Sequence, residues 1–156
     1  AALVNHFAPA KNPILIHSND ADFLALTNDL VTVTDRTKKL AHVPAHEVRL
    51  YKSLVGDSSD NISGIEKLGN SYWEKLSQVD KQQWEAVLTE QIDEFPLTAI
   101  TEAKHKWITE NMSLLRTFYK IVGFMPVDLE AVMANAVIST YDPIKYHETM
   151  TKYMWM

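Results

Sequence analysis

Val55-Gly56-Asp57-Ser58-Ser59-Asp60-Asn61-Ile62-Ser63-Gly64-Ile65 places two carboxylates three residues apart and runs them into a glycine-marked turn. Each residue type in Gly56–Asn61 favours turns, through side-chain hydrogen bonds to nearby backbone or tolerance of positive φ, so alone the stretch reads as an ordinary turn. At i, i+3 spacing in a turn of helix, however, Asp57 and Asp60 share a face, as two ligands of one ion should. A second acidic pair, Asp20 and Asp22, lies upstream in Ile14-Leu15-Ile16-His17-Ser18-Asn19-Asp20-Ala21-Asp22-Phe23-Leu24. Asp-x-Asp after a strand is often only a helix cap. The joint occurrence of both pairs, in this order and followed by Ile-x-Gly-Ile, favours a shared ion site.

The surroundings of the two pairs set the fold class. Pro13–His17 is a nearly continuous apolar run, as in a strand covered on both faces of a parallel sheet. Leu30-Val31-Thr32-Val33-Thr34 is β-branched and reads as a second strand, and Leu40-Ala41-His42-Val43 as a third. Residues 1–8 read as the end of a helix stopped by Pro9, and Asn19 or Asp20 can cap another helix through about Leu26. This alternation predicts an α/β chain, the second half of an open parallel sheet. Beyond Pro44 the pattern is helical, with helices expected over about 45–54, 70–78, 80–93, 99–119, 127–139 and 143–153. Residues 1–45 are therefore assigned to the α/β core and 46–156 to a helical region, with no linker between them.

The chain has 156 residues, 46% of them apolar, enough for a core without disulfides, and it has no cysteine. No run of eighteen apolar residues exists and no secretory signal is recognisable, so the chain reads as soluble, cytoplasmic and without a membrane partner. A net charge of −5 argues against a uniformly basic nucleic-acid surface. The objection weakens if Asp20, Asp22, Asp57 and Asp60 are metal ligands, and a binding surface would then be local: Arg36 with Lys38 and Lys39, Lys52, or Lys67 with Lys75.

In an α/β sheet, functional groups gather at the carboxyl ends of parallel strands, where Asp20 and Asp22 emerge. Oxygen ligands suit Mg²⁺ or Mn²⁺, and Mg²⁺ keeps waters that a substrate phosphate can replace. Two ions roughly 3.5–4 Å apart would activate a water and stabilise a leaving oxygen. Other chemistries lack their residues. There is no His-Glu-x-x-His, phosphate loop or Gly-x-Ser-x-Gly, and Pro44 separates His42 from His46. His17 reads as a neighbour of the site, not a ligand, and Trp84 and Trp107 as core.

These segments resemble the 5′-nuclease family of flap endonucleases, polymerase-associated 5′→3′ exonucleases and phage RNase H. Ser18-Asn19-Asp20-Ala21-Asp22-Phe23 is similar to the family's Thr-Ala-Asp-Lys-Asp-Leu, and Gly56–Asn61 to its Gly-Asp-x-Ser-Asp-Asn; each supplies two metal ligands there. Ser63–Trp73 is similar to the family's Pro-Gly-Val-x-Gly-Ile-Gly-x-Lys-Thr-Ala, which begins a helix-hairpin-helix whose amides grip duplex phosphates. By that resemblance residues 56–78 form such a hairpin, with Gly64, Ile65, Lys67, Gly69 and Ser71 at the DNA. Lys67 replaces the first glycine of Gly-Ile-Gly and Ser71 stands where the family has lysine; these departures count against a bound K⁺. Tyr72 and Trp73 are expected to pack the hairpin onto the body.

The resemblance also implies a PIN-like, Rossmann-like sheet and an activity: Mg²⁺- or Mn²⁺-dependent 5′→3′ exonuclease or flap endonuclease cleavage of DNA or an RNA–DNA hybrid with a 5′ end or flap. Ala1–Phe7 looks like the remainder of the helix that follows the family's first acidic residues, so an N-terminal nuclease half carrying further ligands is an expected partner. A sliding clamp or single-strand-binding protein is another, although the aromatic and methionine-rich end, Tyr146–Met156, reads better as packing. Two alternatives stay open. One is a noncatalytic DNA-binding subunit using the hairpin; the other is a PIN-like ribonuclease, which gives no reason for the Gly64–Gly69 segment.

Overall fold

The computed structural model describes residues 1–11, 13–34, 40, 42–66, 68–135 and 144, and the chain divides into two compact units, residues 1–125 and 126–156. The first unit opens with helix α1 (Ala2–Phe7). Pro9 does not stop it outright: residues 8–10 continue as a 3₁₀ turn, because proline is tolerated where the amide has no helical partner, and the turn ends at Lys11 with φ 55°.

Strands β1 (Ile14–Ile16) and β2 (Val31–Val33) pair in parallel, Ile14 opposite Val31 and Ile16 opposite Val33. The amides of Ile14 and Thr34 extend the ladder to the Leu30 and Ile16 carbonyls, at 2.8 and 2.9 Å. The fold class is α/β, with a two-stranded sheet among the described residues. Two expectations are corrected here. β1 is not covered on both faces, since Leu15 is 66% exposed. Leu40–Val43 is not a third strand; the Val43 amide closes a turn onto the Leu40 carbonyl at 2.9 Å, which lets Leu40 and Val43 enter the core together, where alternation would have parted them.

A 3₁₀ turn over Ala45–Glu47 leads into helix α2 (Val48–Val55). Val48, Leu50, Tyr51, Lys52, Ser53 and Leu54 are all buried, so α2 is surrounded by the rest of the unit. Its polar members are satisfied internally: the Ser53 hydroxyl donates to the Arg49 carbonyl at 2.8 Å. After Gly56 a loop leads to helix α3 (Gly69–Trp73), shorter than the expected 70–78. Helix α4 (Gln78–Leu88) starts at a capping box in which Ser77 and Asp80 satisfy each other's amides. Trp84 of α4 is fully buried, donates to the Tyr72 hydroxyl at 2.8 Å and stacks on Phe95 at 5.3 Å. Tyr72 and Trp73 are buried too, as expected.

The single helix expected over 99–119 is two, α5 (Glu102–Glu110) and α6 (Met112–Val122). Asn111 leaves helical geometry at φ −113°, ψ 15°, and its side-chain amide donates to the Trp107 carbonyl at 2.8 Å. Ile108 and Leu115, one on each side of the break, are both fully buried. Trp107 is only partly buried, at the edge of the core. Arg49 fastens α6 to α2: its guanidinium lies 3.9 Å above the Tyr119 ring and its Nε donates to the Tyr119 carbonyl at 2.7 Å.

The second unit contains helix α7 (Leu129–Asn135). Asp128 accepts hydrogen bonds from the Glu130 and Ala131 amides at 3.0 and 3.3 Å, a local cap. Apart from Ile144, the helix expected over 143–153 and the end Tyr146–Met156 lie outside the described residues.

Candidate metal centre

The acidic turn is built by local chemistry. Gly56 ends α2 with φ 100°, Asp57 and Ile62 then pair as an isolated antiparallel bridge, and Asn61 takes φ 56°. The Asp57 carboxylate accepts the Ser59 amide at 2.9 Å and the Ser59 hydroxyl, the pattern by which aspartate fixes a turn. Asp57 and Asp60 are thus brought together by a loop, with the Asp60 amide on the Asp57 carbonyl at 3.2 Å, and not by the helical turn their spacing predicts.

Gly64 closes this loop against the end of α2. Its φ is 63°, and a Cβ there would lie 2.5 Å from the Gly56 nitrogen and 2.6 Å from the Leu54 oxygen. The close approach demands glycine. Gly64 and Ile65 are therefore buried, and the Ile65 amide is used by the Leu54 carbonyl at 2.8 Å. Gly69 and Ser71 sit further out, with open space around the Gly69 Cα. Lys67, Arg36, Lys38 and Lys39 lie outside the described residues, and Lys75 is exposed.

From the sheet side, Asp20 and Asp22 follow β1 into a 3₁₀ helix, Ala21–Leu26. They take different jobs. Asp20 caps the helix, its Oδ1 accepting the Asp22 amide at 2.9 Å, and it lines the rim of the cleft. Asp22 points at the turn: carboxylate oxygens of Asp22, Asp57 and Asp60 all lie within 4.8 Å of one another. Two segments 35 residues apart in sequence, from Asp22 to Asp57, thereby share one cluster at a cleft of about 470 Å³.

Lys52 corrects the sequence reading most sharply. It is no surface contact for phosphate: its side chain is 3% exposed, and its ammonium sits among the three carboxylates, 2.6 Å from Asp57, 3.4 Å from Asp60 and hydrogen-bonded to Asp22. Burial works against the charge, but the hydrogen bonds to Asp22 and Asp57 win and hold its pKa above the usual lysine range. Burial likewise works against the Asp57 carboxylate, and hydrogen bonds from Lys52 and Ser59 bring its pKa down to about 2. A helix hidden on all sides cannot keep a lysine without counter-charges, and Asp22, Asp57 and Asp60 supply them.

The donor set fits a hard divalent cation. Three carboxylates offer oxygen ligands at a spacing that one ion can bridge, and a cation, the Lys52 ammonium, is already drawn to that point. Among the described residues three of the four expected aspartates cluster, while Asp20 caps the neighbouring 3₁₀ helix.

No family model matches the chain, and no solved structure matches it significantly. Among curated proteins it is similar to DNA polymerase I of Caldicellulosiruptor bescii, 35% identical over 92 residues, covering 48% of this chain and 11% of that protein. The chain thus spans about a tenth of the polymerase it matches, and the likeness is to part of a DNA-processing enzyme.

Proposed function

We propose that the chain carries the metal-binding and DNA-gripping portion of a divalent-metal-dependent 5′→3′ exonuclease or flap endonuclease, acting on 5′ ends, flaps or RNA–DNA primers. The observation that carries the reading is the convergence of Asp22, from the segment after β1, with Asp57 and Asp60, which line an open cleft. The partial likeness to a DNA polymerase I supports it, since polymerase-associated exonucleases belong to the family the motifs resemble.

Asp22, Asp57 and Asp60 would hold Mg²⁺ or Mn²⁺ as ligands, not as acids or bases. A bound ion of this kind supplies an activated water and charge stabilisation at a phosphodiester. The Ser59 hydrogen bonds keep the Asp57 carboxylate ionised and aimed, and the Gly56–Gly64 contact fixes the turn that presents it. The segment from α2 through α3 is the DNA-gripping hairpin in this reading, with Gly69 and Ser71 at its outer surface. Three converging ligands are few for two ions; the complementing acidic residues come from an N-terminal nuclease half.

A noncatalytic DNA-binding subunit is the second reading, and one observation favours it: the Lys52 ammonium gives the three carboxylates a counter-charge from within the fold. A 5′-flap cleavage assay in Mg²⁺, with and without the complementing half, separates the two. Cleavage restored by that half, lost in Asp57→Asn while flap binding persists, is the expected result. Unchanged cleavage in Asp57→Asn, or none under any condition, overturns the nuclease reading.

A further inference from the structure

A lysine enclosed by three prospective metal ligands is not a passive neighbour. We propose that Lys52 is a built-in occupant of the cation position, holding Asp22, Asp57 and Asp60 together until a divalent ion displaces it, so that this residue sets the ion affinity of the cluster. The proposal rests on the reading that these carboxylates receive a divalent ion.

The geometry leaves one place for a positive charge in contact with all three groups. Their nearest oxygens lie within 4.8 Å of one another, and the Lys52 Nζ is 2.6 Å from Asp57, 3.4 Å from Asp60 and hydrogen-bonded to Asp22. An ion at Mg²⁺–oxygen distances of roughly 2.0–2.1 Å would fall within the same triangle and repel the ammonium from it. The two charges compete for one position.

Lysine suits such an exchange. Its ammonium rides on a flexible four-carbon stem, so the charge can move while the backbone of α2 stays packed. Lys52 itself lines the cleft of about 470 Å³, so the displaced ammonium has somewhere to go. Until then it prevents the mutual repulsion of three carboxylates from opening the Asp57–Asp60 turn. Once displaced, it is a buried-edge cation without its partners, and an anion in the cleft such as a phosphodiester is the group that would satisfy it. Ion and phosphate then assist each other's binding through one side chain, with reciprocal coupling.

Mn²⁺ titration followed by the loss of the free-ion electron paramagnetic resonance signal tests this on wild type, Lys52→Met and Lys81→Met. Lys81 pairs with the buried Glu47 at 2.8 Å and serves as a control away from the cluster. Lys52→Met is expected to bind Mn²⁺ at least tenfold more tightly than wild type, and Lys81→Met to match wild type. Equal or weaker binding by Lys52→Met, with Mn²⁺ bound by wild type, overturns the displacement proposal and leaves the ion site standing. No binding by either overturns both. A measurement that needs no variant covers a failure of Lys52→Met to fold: in ¹⁵N-lysine-labelled wild type, the exchange-protected Lys52 ammonium resonance is expected to vanish with the midpoint of Mg²⁺ binding. A resonance unmoved at saturating Mg²⁺ overturns the proposal.

Discussion

The Ile65 amide donates to the Leu54 carbonyl at 2.8 Å, joining the last buried turn of α2 to the residue after Gly64 across the whole acidic loop. The loop that carries Asp57 and Asp60 is therefore pinned at its two ends. Its shape depends on the backbone approach at Gly64 more than on any side chain within it.

Gly64→Ala should be far more damaging than Gly69→Ala, although both glycines have positive φ, 63° and 55°. At Gly69 a methyl meets nothing within 4 Å, so only the left-handed backbone is penalised, by about 1 kcal/mol. At Gly64 the methyl collides with backbone at 2.5–2.6 Å that cannot move without unwinding α2, and the loss should be roughly 2–4 kcal/mol. Urea unfolding of the two variants checks the ordering; equal losses would mean the loop can shift as a body.

Asp20→Ala separates a cap from a ligand. Losing the hydrogen bond to the Asp22 amide should lower stability by about 1 kcal/mol. Mn²⁺ affinity should stay within about twofold of wild type, whereas Asp22→Asn should weaken it by tenfold or more. Comparable losses of affinity in both variants would restore Asp20 to the ligand set.

Glu47 makes acid stability measurable away from the cluster. Burial alone would raise its pKa, but hydrogen bonds from Lys81 and Gln78, each 2.8 Å long, outweigh burial and lower it. A depressed folded value means the stabilisation is complete above the unfolded glutamate value of about 4.3 and is lost as pH falls below it. Glu47→Gln should cost about 3 kcal/mol at pH 7, because Lys81 loses its counter-charge, and should flatten the decline of stability below about pH 4. Asp57, held at about 2, gives up its share progressively as pH falls below the unfolded aspartate value of about 3.9. Urea midpoints from pH 7 to 2.5 measure both effects; an unchanged slope in Glu47→Gln would remove Glu47 from the acid response.

What could be read in advance follows the range of the interactions involved. The Asp57–Gly64 turn and the two strands were legible because their causes are local: turn-forming side chains, a required glycine, β-branched runs. The start of α4 was equally local, in Ser77 and Asp80, yet the hydrophobic pattern drew the expected boundary later. The break at Asn111 was hidden because apolar periodicity continues across it, Ile108 and Leu115 keeping the spacing of one helical face. The turn at Leu40–Val43 is likewise dictated by the core it joins. At the site, residue types gave the aspartates but not their division of labour. That Asp20 caps while Asp22 converges, and that Lys52 turns inward, depends on contacts between segments 30 residues apart in sequence, as with Lys52 and Asp22.

The bare sheet has a consequence for handling the protein. β1 and β2 pair only with each other among the described residues, and Leu15 presents an isobutyl group to solvent from the middle of a three-residue strand. A free strand edge beside an apolar side chain is a template for pairing with another molecule. Crowded solutions should therefore cloud from this side first, and Leu15→Lys should raise the concentration at which turbidity sets in without altering the acidic loop.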